Sequence, residues 1–342
     1  MKIKIAHIIL LMVSLVTIGC KKTNVYGDKP IIMQFGYEAT GDEAMDSFVE
    51  NDQIAMFVID ADKDPQFTDF NFANYIYKLT NVSWLPIDSD RILMWEQGAK
   101  PVFVYAYSPI AAANTPITAE NTSATVLNVN MPLDQTSTNL KTLDLLYTQN
   151  KGANGEGLTL ENNGSENVIL SFKHKFCKVS ISVFVKKADD IDGNVTLRSV
   201  QLKGTQLANE AKLDLHNAAL NIVAPAQEQT THSTKDVVLI PTDDFVEINA
   251  CKVELIILPF KPKNKTTEFA FVVNYNNNGV NTDKILRVKL PEYLEGGTQI
   301  TFNENMQTVI KATLILNRDE VLINNTINDW GENNDTGEII PT

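Results

Sequence analysis

The sequence predicts an all-β protein: two tandem β-sandwich domains behind a lipoprotein signal peptide. Runs of β-branched, aliphatic and aromatic residues of strand length recur along the chain. Clusters of Asn, Asp, Gly, Thr and Pro separate them, as turns require, and no stretch of comparable length carries helical periodicity with caps.

The first element is the signal. Lys2 and Lys4 open the chain, an apolar run from Ile8 to Val16 follows, and Thr17-Ile18-Gly19-Cys20 ends it. A charged start, an apolar middle and a small residue before the cut mark a secretory signal. The run is too short to span a hydrocarbon core of about 30 Å as a permanent helix. Cysteine directly after Gly19 is what lipoprotein processing needs, since its thiol takes diacylglycerol and its freed amine takes a further acyl chain. Residues 1–19 are therefore expected to be removed, with Cys20 as the lipidation site and the outer membrane as the anchor.

Removing residues 1–19 from a 342-residue chain leaves more chain than one core usually serves. Strands are expected at Ile54–Ile59, Val102–Tyr107, Val168–Phe172, Val179–Val185 and Val195–Leu202. The series continues with Val237–Ile240, Val253–Leu258, Phe269–Tyr275, Ile285–Leu290 and Val309–Leu316. Polar turn residues dominate from Gln149 to Gly157 and from Glu161 to Gly164, which puts the expected domains at residues 20–164 and 165–342. The tail after Trp330 is polar and expected to be loosely held.

A net charge of −13 disfavours nucleic-acid partners, because an acidic chain repels phosphate backbones. No zinc-binding His-Glu-x-x-His, nucleophile elbow, phosphate-cradling glycine loop or Cys-x-x-Cys pair occurs, so no catalytic residue and no cofactor is expected. His174, His216 and His232 stand apart from second ligands and read as structural. Asp60-Ala61-Asp62-Lys63-Asp64-Pro65 begins like a calcium loop, but Pro65 replaces the turn glycine and Asn71 the closing glutamate. Asp189 to Asn194 reads as an acidic turn, and no metal site is expected. Cys177 and Cys251 lie in apolar strand-like stretches as buried thiols, with a disulfide between them open to an exported protein.

Several segments, in order, resemble the fimbrillin superfamily of surface pilus lipoproteins. Ile31-Ile32-Met33-Gln34-Phe35 is similar to the family's first strand and Asp52 to Val58 to its second. Val102 to Pro109 looks like the strand ending in Ala-Tyr-x-Pro, and Asp144-Leu145-Leu146-Tyr147 like the close of its first domain. Leu170-Ser171-Phe172-Lys173-His174-Lys175-Phe176-Cys177-Lys178-Val179 resembles the motif opening the second, with Cys177 in place of a small residue. Alternation puts Phe172, His174 and Phe176 on one face and Cys177, Val179, Ile181 and Val183 on the other, so one bulged strand is expected. Leu239-Ile240-Pro241, Leu258-Pro259, Gly296-Gly297 and a closing Ile327-Asn328-Asp329-Trp330 follow in family order.

The resemblance implies two transthyretin-like sandwiches, other fimbrial subunits as partners, and a surface or fimbrial location. It implies that Ile31, Ile32, Met33, Gln34 and Phe35 form a removable strand whose loss opens a groove for a neighbour's strand. The chain beyond Val309, or part of it, is the candidate donor. It gives Phe172, His174 and Trp330 structural roles. Shaft subunits of the family usually carry an arginine after the first strand; here Gly36 to Met45 offers neither arginine nor lysine, and the first arginine is Arg91. Shaft and anchor therefore both stay open, with the anchor favoured. The alternative is a glycan- or protein-binding surface lipoprotein, displaying an aromatic face from Phe67, Phe70, Phe72, Tyr75 and Tyr77.

Overall fold

The structure is a computed structural model that describes residues 29–30, 32–37, 48–63, 73–81, 83–89, 93–95, 100–110, 126–136, 140–159, 167–188, 191–245, 249–263, 266–277, 279–290 and 301–329. Strands of the first half are β1 (Lys29–Pro30), β2 (Ile32–Tyr37), β3 (Gln53–Asp60), β4 (Ala73–Thr80), β5 (Ser83–Pro86), β6 (Met94–Trp95), β7 (Val102–Ser108), β8 (Val126–Asn130) and β9 (Leu146–Asn150). The second half adds β10 (Asn167–His174), β11 (Cys177–Val185), β12 (Ile191–Gly204), β13 (Glu210–Asp214), β14 (Leu220–Ile222) and β15 (Gln229–Leu239). It ends with β16 (Cys251–Ile257), β17 (Glu268–Asn277), β18 (Val280–Lys289), β19 (Met306–Ile315) and β20 (Glu320–Asp329). One turn of α-helix, α1 (Leu140–Leu143), interrupts them.

The chain is all-β and its sheets stack. A seven-stranded sheet runs β2-β10-β9-β7-β3-β4-β5. Its middle strands are buried on both faces, which is why β3 and β7 read as nearly continuous apolar runs. Ala55, Phe57, Phe103, Tyr105 and Tyr107 face one core. Ile54, Met56, Val104 and Ala106 face another. The sheet curls so that its two edges meet, with the rings of Phe35 on β2 and Trp84 on β5 5.0 Å apart.

Two four-stranded sheets, β16-β11-β19-β20 and β15-β12-β17-β18, form a sandwich over the third core. Cys177, Val179, Ile181, Val183 and Val185 alternate inward from β11. On β12 the inward set changes parity, from Val195 and Leu197 to Val200 and Leu202, because both flanking ladders shift register between Leu197 and Ser199. A bulge of this kind bends a long strand while keeping its apolar side chains in the core.

Sheets interleave strands from either side of residue 164. β10 pairs with β2 and β9. β13 pairs with both β8 and β14 in a three-stranded sheet that covers the core of Ala55, Phe57 and Tyr105. That core also takes Phe176, Ile256 and Leu258. Between the halves, Gln135 is buried, donating to the Ile256 carbonyl at 2.7 Å and accepting from the Ile256 N–H at 3.0 Å.

One expectation is corrected, and the alternative left open for the two cysteines is closed in favour of the expected buried thiols. The single bulged strand through Phe172 and Val183 is instead two strands in different sheets, β10 and β11, joined by a bend at Lys175-Phe176. The change of face comes from the chain leaving one sheet for another. The disulfide is excluded: Cys177 pairs with Ile257 and Cys251 with Val183, and both thiols are free. Six residues of strand separate the two positions, about 20 Å at the usual rise, whereas a disulfide needs Cα atoms within about 7 Å.

Replacing Gln135 with leucine strips the Ile256 N–H and carbonyl of their buried partner. The expected loss is about 1–3 kcal/mol in chemical denaturation, and an unchanged midpoint would show that the tie contributes nothing.

Candidate functional site: the groove of the first strand

β2 lies at the edge of the seven-stranded sheet and runs parallel to β10, in register from Ile32 opposite Asn167 to Tyr37 opposite Phe172. Alternation along an extended strand sends Met33 and Phe35 inward and leaves Ile32 and Gln34 exposed. Met33 is buried in the core that also takes Ile54 and Met56 of β3, where Val168, Leu170 and Phe172 of β10 also point.

The Phe35 ring enters an aromatic pocket. It stands 5.0 Å from the Trp84 ring at 69°, 5.6 Å from Tyr77 and 6.3 Å from Phe172. Phe48, just before β3, closes the pocket edge-on, 5.1 Å from Trp84 and 5.5 Å from Phe172. Tilted and edge-to-face rings of this kind add about 0.5–1.5 kcal/mol per pair beyond the area they bury.

β10 depends on β2 for its main-chain partners. On its other side, the β9 ladder is confined to Lys173 opposite Tyr147 and His174 opposite Leu146. Further along, the Asn150 side chain donates to the Ile169 carbonyl at 3.1 Å. The six-residue register with β2 is thus the main ladder of residues 167–172.

The motif residues meet at the bend. Phe172 is buried in the groove core. His174 is buried, with Nδ1 2.7 Å from Asp144 Oδ2 and its main-chain N–H donating to Asn305 Oδ1 at 3.1 Å. Lys175 N–H donates to the Leu145 carbonyl, Asn305 N–H to the Phe176 carbonyl, and the Lys175 ammonium pairs with Glu304 at 2.8 Å. His174 is thus clasped by the Asp144-Leu145 turn on one side and the approach to β19 on the other. Cys20, Ile31 and Trp330 lie outside the described residues.

For the expected donor region, β19 lies between β11 and β20 in the middle of its sheet, whereas β20 is the edge strand, held by ten pairings to β19. Of the proposed aromatic face, Phe67, Phe70 and Phe72 lie outside the described residues, and Tyr77 is buried in the groove rather than displayed. Asp62 pairs with Lys100 at 2.5 Å. Among the described residues no group of three or more His, Cys, Asp or Glu gathers in a way that would hold a metal ion, and no helix is long and apolar enough to cross a membrane. Sequence reasoning missed Phe48 and Trp84; alternation within a four-residue strand and one phenylalanine in a polar stretch give too short a pattern to find them.

Stacked, curled sheets with an edge strand seated in an aromatic groove define an all-β protein of layered β-sheets. The model of the fimbrillin-like family matches residues 39–330, and the chain belongs to that family. Its fold is similar to that of a fimbrial protein from Bacteroides vulgatus, at 14% identity, covering 88% of this chain and 99% of the other with a TM-score of 0.61. It is also similar to candidate cell adhesion proteins from Bacteroides uniformis (14% identity, 89% and 98% covered, TM-score 0.57) and Bacteroides ovatus (16% identity, 90% and 99% covered, TM-score 0.54). No curated protein matches the chain.

Burial pushes the Cys177 thiol up to about 12, so it is expected to resist alkylation at pH 8 in the folded protein and to react fully in denaturant. The sign of the linkage follows: this thiol's contribution to stability is whole below pH 9 and is lost as pH rises from there toward 12, by at most about 1.4 kcal/mol per pH unit. Rapid native labelling of Cys177, followed by peptide mass mapping, would contradict the burial described.

Proposed function

We propose that this chain is a subunit of a cell-surface fimbria, tethered to the outer membrane by lipid on Cys20, and that it serves at the base with β2 retained. The observation that carries the basal reading is the distribution of basic residues about the groove strand. Neither lysine nor arginine occurs between Lys29 and Lys63. Lys29 precedes β2 and Lys63 follows β3, a strand inside the seven-stranded sheet. A protease specific for basic residues therefore either leaves β2 attached or strips out β3 with it. Neither cut opens the groove cleanly.

With β2 kept, the groove stays filled and the chain joins its neighbours in one direction only. β20 is the strand best placed to be given away, because an edge strand leaves without opening a ladder on both sides. Main-chain pairing in a neighbour's groove would supply the affinity. The family and the lack of any assembled catalytic pattern in the sequence favour a structural role over an enzymatic one.

Intact mass of the protein recovered from outer membranes and from sheared fimbriae of the same cells tests this. The expected species begins at acylated Cys20, retains β2 and stays with the membrane. A polymer ladder of chains lacking everything through Tyr37 would overturn the basal assignment in favour of a shaft subunit. Absence from every fimbrial fraction would overturn the fimbrial reading itself.

A further inference from the structure

We infer that the pocket around Phe35 selects which strand can occupy the groove, and that it refuses this chain's own C-terminal strand. The inference rests on the reading of this chain as a basal fimbrial subunit that keeps β2, and it concerns which strand the groove takes once β2 is free to leave. A main-chain ladder alone does not discriminate, because every strand offers the same N–H and carbonyl groups; discrimination comes from the alternate side chains. In β2 those are Met33, unbranched and buried, and Phe35 two residues on, surrounded by the rings of Phe48, Tyr77, Trp84 and Phe172. The groove therefore reads a long apolar residue followed at the second position by an aromatic ring, on a strand parallel to β10.

β20 reads Glu-Val-Leu-Ile-Asn-Asn-Thr-Ile-Asn-Asp. At alternate positions its sequence reads Val321, Ile323, Asn325 and Ile327, and between them Leu322, Asn324, Thr326 and Asn328. Neither contains the pair. Trp330 is the only aromatic residue after Phe302, and the residue two places before it is Asn328. Setting Trp330 in the Phe35 position would bury Asn328 where Met33 sits, and an amide without a partner there costs about 1–3 kcal/mol. Setting Val321 and Ile323 in place of Met33 and Phe35 leaves a β-branched side chain where a ring spans from Trp84 to Phe172. A second copy of this chain is thus a poor occupant. The fitting occupant is β2 itself, which keeps the groove of a basal subunit closed to a second copy.

The test uses the unlipidated mature chain with a specific protease sequence inserted between Gly41 and Asp42, cut under native conditions so that β2 is held without a covalent link. A fluorescent peptide of residues 30–38 is then competed with unlabelled peptides. The unchanged β2 peptide is expected to compete, and the Phe35→Ile peptide and the peptide of residues 319–330 to compete at least about tenfold more weakly. Equal competition by the C-terminal peptide would overturn the inference. The uncut chain supplies a measurement that needs no exchange. Met33→Val/Phe35→Ile, which carries the inward pair of β20, is expected to lower Tm by about 3 °C or more, while Met33→Val/Phe35→Tyr recovers most of the loss. A double variant as stable as the parent would overturn the pocket's selectivity; a cut chain that never releases β2, with that Tm pattern intact, would instead overturn the claim that strands compete for the groove at all.

Discussion

Six consecutive residues, Phe172 to Cys177, contribute to all three hydrophobic cores. Phe172 enters the groove core, Phe176 the core shared between the seven- and three-stranded sheets, and Cys177 the core of the C-terminal sandwich. β10 and β11 are neighbours in sequence but sit in different sheets. The bend between them must therefore hold its direction within narrow limits. Buried main-chain groups at a bend need partners, and here they are supplied from both sides, by Leu145 and by Asn305. The Asp144–His174 contact adds a side-chain tie on the same side as Leu145. With the bend fixed, the orientation of the groove relative to the sandwich follows.

The seven-stranded sheet solves its edge problem unevenly. Edge strands expose unpaired N–H and carbonyl groups and invite pairing. By curling, this sheet brings β2 against β5 through rings rather than through a ladder. β2 then has hydrogen bonds on one side and aromatic contacts on the other, so it completes the barrel-like core without being locked on both flanks. β10 is the reverse case, since most of its ladder along residues 167–172 comes from β2. A change of occupant in the groove is therefore felt first by β10, and through the bend by β11 and β19.

Much of the fold is legible in the sequence where burial is two-sided. β3, β7, β11 and β17 are rich in apolar residues because they lie inside sheets, and each was expected within a few residues of its ends. Strands with one wet face were harder. The first half of β15, Gln229 to Thr234, is polar, and only its end at Val237 to Leu239 carries an apolar signal. β13 and β14 are short, and the other partner of β13, β8, lies about 80 residues away in the chain, so no local pattern announces the three-stranded sheet that binds the halves. The bend at Lys175-Phe176 was visible as a change of parity and was read as a bulge, because parity alone cannot distinguish a bulge from a chain that changes sheets. For the site, the alternation of Met33 and Phe35 was available from the strand itself, while the pocket was not: Phe48, Tyr77, Trp84 and Phe172 come from four separate segments, and only the curl of the sheet brings them together.

That division has a consequence for how such a groove chooses its occupant. Ladder energy scales with strand length and is nearly independent of sequence, so it sets whether a strand binds at all. The ring pocket is small and spends its energy on one side chain, so it sets which strand binds and in which register. A one-residue slip would turn Met33 and Phe35 outward and bring Ile32 and Gln34 into the core, replacing a ring by an amide among Trp84, Tyr77 and Phe172. The same geometry that rejects a slipped β2 rejects any strand with a polar or short residue at that position, which makes register and identity two outcomes of one contact.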